Sequence, residues 1–518
     1  MPDSPDATPS PTAIIPPPDA ASEQKNSDKD TIQGKAVRGA QVLGMRTVVS
    51  VILRLVSSLT LARFLTKQDY GVFGLISNII GIGLFVCEFS LHNLLIVQKE
   101  EPEPDETATI FWIQQSISLV FISFVVFASA WVLRAYRIDQ AQIPMLCVGV
   151  AAVLFVTLRS VPGAMMERHL RFEPLARAEV AEQIVQIACS IGLAIAGYGA
   201  WALMISFIAA RFTGMVIVRA SSDWRMTGRF RWSIARQVIQ KAVPFQLNQV
   251  AFIAISSVGA LVMARSIGIS AVGLVTWSAN IASAPTLLVN MLNRVAFPAM
   301  SRLQDDAEQV GRVTGRTARR TVTLMGLLVS PIAIVSPFFL PLVFGEEWRP
   351  AVALFQWNVS EVVLTTALGM LVQGMLAMGF FKQYTTILAI SGAVRIGFLY
   401  AGIKLFGVQG IAAGSYCGSL FELLILTYQV RRKIAGSEMI WQDVFVPVIR
   451  VQGSLLLAMG VAELLSPRQA QTLAGIIGQL ALFAVFLVTA DLFSPQRPVI
   501  SEVTGIWNML RIRRIAPS

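Results

Sequence analysis

From Val37 onward the chain is a succession of apolar stretches of about 20 residues, each long enough to cross a hydrocarbon layer about 30 Å thick as a helix. Their spans are 38–62, 71–97, 107–133, 143–161, 177–197, 199–219, 242–264, 272–297, 321–344, 351–378, 383–405, 408–430, 444–465 and 470–492. Without water in the bilayer core, only helices or closed barrels satisfy the backbone. A barrel would show short alternating segments, so the sequence predicts an all-α polytopic membrane protein with about fourteen transmembrane helices. Composition agrees: 54% of residues are hydrophobic and 14% charged, where soluble domains carry about 25% charge. A soluble enzyme, a disordered chain and a secreted disulfide scaffold are excluded.

The net charge of +11 would fit a nucleic-acid binder only if it were gathered on a soluble face. The basic residues instead fall in short segments between apolar stretches, so no nucleic-acid partner is expected. Arg168 and Arg171 follow the fourth stretch, and Arg219, Arg225, Arg229, Arg231, Arg236 and Lys241 the sixth. Arg302, Arg312, Arg316, Arg319 and Arg320 follow the eighth, and Arg431, Arg432 and Lys433 the twelfth. Odd-numbered exits hold few, among them Arg265, Arg349 and Arg468. Cytoplasmic loops carry the excess of Lys and Arg, which predicts both termini in the cytoplasm. The outward loops are all short and leave no room for an outer domain.

Residues 1–36 are rich in Pro, Ser, Asp and Ala and then polar. They cannot bury enough apolar surface to fold and lack the plan of a secretory signal, so they read as a disordered cytoplasmic tail. Cys87, Cys147, Cys189 and Cys417 all lie in apolar stretches, without CxxC spacing. With His92 and His169 as the two histidines, neither a disulfide framework nor a metal centre is expected, and no cofactor.

A shift of 202 residues places Ala62-Arg63 on Ala264-Arg265, Gly71 on Gly273 and Asn78-Ile79 on Asn280-Ile281. Each match stands where one apolar stretch ends, turns and gives way to the next. The sequence therefore predicts two pseudo-symmetric six-helix lobes, at 37–220 and 242–433, joined by a basic cytoplasmic linker at 221–241. Two extra C-terminal helices fill 434–492, and 493–518 forms a cytoplasmic tail. Parallel repeats of this kind are related by an axis along the membrane normal and place a substrate site near the midplane between them.

A charge at mid-bilayer costs about 2.5–3.5 kcal/mol on insertion scales and marks a functional candidate. At about 100° per residue, Arg46, Ser50, Arg54 and Ser57 fall within one stripe of about 80°. Gly74, Asn78, Gly81, Glu88 and His92 share a similar stripe on the second stretch. In the second half, Gln246, Asn248 and Gln249 open the seventh stretch, and Asn280, Asn290 and Asn293 lie on the eighth. Two polar stripes in equivalent places predict one hydrated cavity, with Arg46, Arg54, Ser50, Asn78, Gln246, Gln249 and Asn280 as its substrate-binding residues. Arg46 and Glu88 stand at nearly equal depth and can pair, which leaves Arg54 to meet an anion. The plain alternative is that both arginines only balance charge.

Glu361 and Arg395 lie at comparable depth in the tenth and eleventh stretches and read as a structural ion pair. Glu88, Glu361 and His92 are the candidates for ion coupling, since coupling needs a buried titratable group. Glu179, Glu182 and Glu422 are the further intramembrane acids, the first two near the inner end of their stretch. The basic segments Ser222–Lys241 and Ser301–Arg320 fit helices lying on an anionic inner leaflet, or plain cytoplasmic loops. No P-loop, nucleophile elbow or paired-acid cleft is present, so nothing looks catalytic.

The stretch LTLARFLTKQDYGVFGL (59–75) resembles the first outer turn of polysaccharide flippases in the multidrug/oligosaccharidyl-lipid/polysaccharide exporter superfamily. FPAMSRLQDDAEQV (297–310) is similar to their inner segment after the eighth helix, and FGEEWRPAVALFQW (344–357) to the turn before the tenth. The resemblance is to the exopolysaccharide and colanic-acid-type branch. It implies a non-enzymatic, two-lobed transporter in the bacterial inner membrane. Its cargo would be undecaprenyl-diphosphate-linked oligosaccharide, moved from the inner to the outer leaflet by alternating access, with lipid in the groove between lobes. It also implies a polysaccharide polymerase and a chain-length regulator as partners, and a cationic cavity whose character Arg46 and Arg54 match. An ion-coupled small-molecule exporter of the same superfamily is the alternative reading. A membrane polymerase is a further one, against which the short outer loops argue.

Overall fold

The computed structural model describes residues 56–465 and 472–492, apart from residue 170 and stretches within 89–100 and 287–302. Every regular element among these residues is helical. Eleven of the described helices are long and apolar enough to cross a membrane, and the shorter apolar segments Ser257–Ile267 and Ile269–Ala282 join them. The first half comprises α1 (Lys67–Glu88), α2 (Pro104–Phe127), α3 (Ser129–Ala135), α4 (Ile143–Gly149), α5 (Ala151–Arg168), α6 (Phe172–Ile195) and α7 (Ala200–Ser221). The second comprises α8 (Trp232–Ile267), α9 (Ile269–Ala282), α10 (Ala307–Phe344), α11 (Val352–Ala377), α12 (Phe381–Phe406) and α13 (Gln409–Lys433). The remaining pair, α14 (Ile440–Leu465) and α15 (Leu473–Leu492), packs on α10.

The burial pattern is that of a multi-pass membrane protein. Phe127 is 94% exposed, Leu464 85% and Leu405 74%; in water such side chains would be a liability, whereas lipid solvates them at no cost. The interior is close-packed around α11, whose Leu354, Val363, Leu364, Ala367, Met370, Leu371 and Met375 have no exposed surface. This helix packs against α9, α10 and α13. Pro331, Pro337 and Pro341 lie within α10, where neighbouring helices can compensate for the backbone donors that proline lacks.

Two helices run further than hydropathy predicts. α8 begins at Trp232 and spans 36 residues, and α10 begins at Ala307 and spans 38, about 55 Å each at 1.5 Å per residue. The basic segments at 232–241 and 307–320 are thus the first turns of long helices rather than separate surface helices. Hydropathy marks where a helix meets lipid, while backbone hydrogen bonding continues into the polar region. Asp306 caps the start of α10 by accepting a hydrogen bond from the Gln309 backbone N–H at 2.9 Å. The first turns of α8 bury Ala235 and Val238 with Ile110, Phe111 and Ile113 of α2 and Val161 and Ala164 of α5. Further along, α8 lies against both α12 and α1, with Ala260 and Ala264 in one core beside Val72 and Ile76, so one continuous helix packs on both halves.

The 202-residue repeat has a geometric counterpart where α1 crosses α9. A Cβ added at Gly71 would meet the carbonyl oxygen of Ile269, and one at Gly273 the carbonyl oxygen of Lys67. The shift takes Lys67 to Ile269 and Gly71 to Gly273, so these are two equivalent contacts related by the repeat. Gly74 lies against Thr276, its own equivalent. The crossing therefore has a local two-fold character, and only glycine allows the two backbones so close. Further along, Gly199 before α7 (φ 54°, ψ −133°) and Gly407 before α13 (φ 61°, ψ −134°) mark equivalent turns, with the shift grown to 208.

Candidate functional site

The polar faces predicted for the two halves lie partly outside the described residues. Arg46, Ser50, Arg54 and His92 fall there, as do the side chains of Glu88, Gln246 and Gln249. Asn78 and Asn280 are described. Each lies one turn beyond the Gly74–Thr276 contact on its own helix, Asn78 on α1 and Asn280 on α9. Asn280 is exposed. The Asn78 Oδ1, with the Ser77 Oγ and the Ser257 Oγ, is buried with no hydrogen-bond partner. Such orphaned groups are rare in native proteins and call for a reason.

Two charge clusters, each built around a buried carboxylate and half-buried arginine, stand on equivalent helices. In the first half, Glu182 of α6 accepts hydrogen bonds from Arg159 of α5 and, at 2.6 Å, from Arg211 of α7. In the second half, Arg395 of α12 donates to Glu361 of α11 at 3.5 Å, to Glu422 of α13 at 3.4 Å and to Ser419 of α13 at 2.7 Å. The Ser419 hydroxyl in turn donates to Glu361. Arg159 and Glu361 are 202 residues apart, while Arg211 and Gly214 fall on Ser419 and Glu422 with the shift of 208.

The two clusters are charge-inverted. The first half places cation, anion, cation on its fourth to sixth spanning helices, and the second places anion, cation, anion. Their formal charges are +1 and −1 respectively. Glycine makes room for each: Gly214 lies against the Glu182 carboxylate and Gly418 against the Arg395 side chain. A cavity of about 170 Å³ adjoins the first cluster, lined by Arg159, Ser160, Gly163, Glu167 and Glu179 among others. Sequence reasoning missed Arg159 and Arg211. Both lie inside apolar stretches, at 143–161 and 199–219, where the cost of an intramembrane charge already marks them.

At the end of the molecule that holds the glycine crossing, the halves are also joined by polar and aromatic contacts. The Trp348 Nε1–H donates to the Ala62 carbonyl at 3.2 Å. Arg137 donates to the Arg265 carbonyl at 2.9 Å, and Arg265 donates to the Ala135 carbonyl at the same distance. Arg137 adopts a left-handed backbone at φ 57°, a conformation uncommon outside glycine. Across the halves Tyr70 meets Trp348 edge-on at 5.5 Å, and within the second half Trp348 stacks on Trp277 with ring centroids 4.3 Å apart.

Replacing Trp348 by phenylalanine keeps an aromatic ring and removes the bond to Ala62. A net hydrogen bond contributes about 1 kcal/mol, so the junction is expected to loosen about fivefold in its closed-to-parted ratio. Distances between spin labels at Arg63 and Arg349 read this directly; an unchanged distribution would show that the bond does not hold the junction.

The sequence profile of a family described as "Polysaccharide biosynthesis protein" matches residues 60–353. The lipopolysaccharide biosynthesis protein WzxC of Escherichia coli (strain K12) is 22% identical over 434 residues, which cover 79% of this chain and 83% of that protein. The teichuronic acid biosynthesis protein TuaB of Bacillus subtilis (strain 168) is 22% identical over 356 residues, 64% of this chain and 69% of that one. Among solved structures, the lipid II flippase MurJ in an inward closed conformation superimposes with a TM-score of 0.67 at 12% identity, covering 89% of this chain and 99% of its own. An inward-facing multidrug resistance MATE family transporter of the MOP superfamily gives 0.59 at 13% identity, covering 75% and 95%. The fold is that of these membrane transporters.

Proposed function

This chain belongs to the polysaccharide biosynthesis protein family, and from that premise we propose that it flips lipid-linked oligosaccharide across the bacterial inner membrane. The observation that carries the reading is the joining of this family to the two-half fold shared with a lipid II flippase. The cargo is an undecaprenyl-diphosphate-linked repeat unit for exopolysaccharide or lipopolysaccharide, moved from the inner to the outer leaflet. Transport is by alternating access between the lobes 37–220 and 242–433. Both termini are cytoplasmic, which puts the junction of Ala62, Gly71, Gly273 and Trp348 at the outer face.

On this reading the halves are closed outside and divide below the glycine crossing, where Asn78 and Asn280 begin the polar lining. Orphaned acceptors and hydroxyls there suit a cargo rich in sugar hydroxyls, since a site built of hydrogen-bonding groups selects ligands that satisfy them. Arg46 and Arg54 meet the diphosphate, because charge-assisted bonds to phosphate oxygens are roughly twice as strong as neutral ones. Ser50, Gln246 and Gln249 are further substrate-binding residues on this reading. Glu88 couples ion movement to the cycle, with Glu361 and His92 as further coupling groups, and the Glu361–Arg395 contact also ties α11 to α12. The chain transports and performs no covalent chemistry; a polymerase and a chain-length regulator act on what it delivers.

The test is a strain lacking this protein. Complete lipid-linked repeat units are expected to accumulate and to resist a membrane-impermeant glycosidase in spheroplasts. Units that accumulate but are digested have already crossed, and would overturn the flippase reading in favour of a polymerase. No accumulation would point instead to a small-molecule exporter.

A further inference from the structure

The aromatic group at the junction is built from costlier residues than packing requires. Tyr70 opens α1, Trp277 lies on α9, Phe344 ends α10, and Trp348 lies in the turn Glu346–Ala351 that follows. Trp277 and Trp348 stack at 4.3 Å and 24°, Phe344 meets Trp277 edge-on at 4.9 Å, and Tyr70 meets Trp348 edge-on at 5.5 Å. Trp277 has no exposed surface, and Tyr70 has 6%. Yet the Tyr70 hydroxyl and the Trp277 Nε1–H are buried with no hydrogen-bond partner. Buried donors without partners are destabilising, a penalty that phenylalanine or leucine at the same positions would not carry.

A plug serving only to close the junction would therefore use apolar rings. Indole and phenol rings together with free donors are what a pyranose ring requires: flat apolar faces for its C–H groups, and hydrogen-bonding groups for its hydroxyls. In the structure the rings satisfy one another's faces and leave the donors unmet. Once the halves part, the Trp348 N–H and the Ala62 carbonyl lose each other as partners and join the Tyr70 and Trp277 donors as unpaired groups. A ligand shifts a conformational equilibrium only by its differential affinity for the two states. A sugar seated here interacts with the parted state alone.

We propose that Tyr70 of the first half and Trp277 and Trp348 of the second are the two facing sides of a binding platform for a pyranose ring of the cargo, hidden in this closed arrangement and opened when the halves separate. The proposal rests on the flippase reading above and deepens it: it assigns this end of the path to the saccharide rather than to the diphosphate or the lipid. Sugar binding here favours outward opening. A saccharide-free lipid diphosphate gains nothing from the platform.

The test compares two probes, undecaprenyl diphosphate and undecaprenyl diphosphate carrying one glucose, binding to the purified protein in lipid nanodiscs. The variants are Tyr70→Phe, which removes one oxygen and keeps the ring, and Trp277→Phe, which removes the other donor. Each is expected to weaken binding of the glucosylated probe about fivefold, the effect of one lost hydrogen bond, and to leave the bare diphosphate probe unchanged. Thermal stability of Tyr70→Phe is expected to equal or exceed that of the parent, since an orphaned group is gone, so that weakened binding is not a loss of fold. If both variants bind the glucosylated probe as the parent does, or weaken both probes equally, the platform is refuted. If the parent binds neither probe, the flippase reading itself falls. Should Trp277→Phe fail to fold, Tyr70→Phe alone decides.

Discussion

Replacing Gly71 by alanine is expected to shift the protein away from the closed junction by about fivefold or more. The new methyl would occupy the place of the Ile269 carbonyl oxygen, and backbone cannot rotate aside as a side-chain tip can. Overpacking a tight contact costs about 1–3 kcal/mol, and about 1.4 kcal/mol is a factor of ten. Gly273→Ala meets the Lys67 carbonyl and should do the same. Because the contacts are related by the local two-fold, α1 and α9 separated for one methyl already have room for the second. The double substitution should therefore cost little more than either single one, a failure of additivity that marks coupled sites. Spin-label distances between Arg63 and Arg349 give the populations. Unaltered distances in Gly71→Ala, or full additivity in the double variant, would defeat the account of the crossing.

The other large effect is expected at the charge clusters. Arg395→Met leaves Glu361 and Glu422 facing each other across α11 and α13 with their shared cation gone. Glu182→Met takes the shared counter-charge from Arg159 and Arg211. Removing one member of a buried ion pair typically costs about 3–5 kcal/mol, because the remaining charge stays buried. Both variants should melt well below the parent in detergent. Because the clusters are charge-inverted, their rescues differ: Glu361→Gln should recover part of the loss in Arg395→Met, and Arg159→Gln part of that in Glu182→Met. Such pairs in contact couple by about 0.5–3 kcal/mol. Parent-like melting of either single variant would show that the cluster does not hold its three helices together.

Much of the architecture is legible in the sequence because lipid imposes a simple rule on segment length. The repeat is legible at Gly71 and Gly273 for a sharper reason: a backbone crossing tolerates one residue type, so identity persists where apolar neighbours drift. The same rule says nothing of where a helix ends in water, which is why α8 and α10 begin ahead of their apolar stretches. The clusters were harder to see. The cost of an intramembrane charge marks Arg159 and Arg211 one at a time, but which three helices meet is a tertiary fact. The shift also changes from 202 to 208 between α5 and α7, so a single register never aligns Arg211 with Ser419. The Glu361–Arg395 contact could be anticipated from equal depth on consecutive helices. The participation of Ser419 and Glu422, from a third helix, could not.

The reciprocal crossing of α1 and α9 has the form of a symmetric dimer interface, with the difference that its two partners are one chain. α8, packed on the first half near both of its ends and on the second through α12, acts as a stiff tether. Rejoining is then an intramolecular event at high effective concentration, without the translational cost that two free subunits pay to associate. The interface needs no large affinity of its own: two glycine contacts, a few hydrogen bonds and the edge-on contact of Tyr70 with Trp348 suffice. Weak contacts held in permanent proximity part and re-form quickly, whereas an interface strong enough to hold free subunits together would part too slowly to turn over.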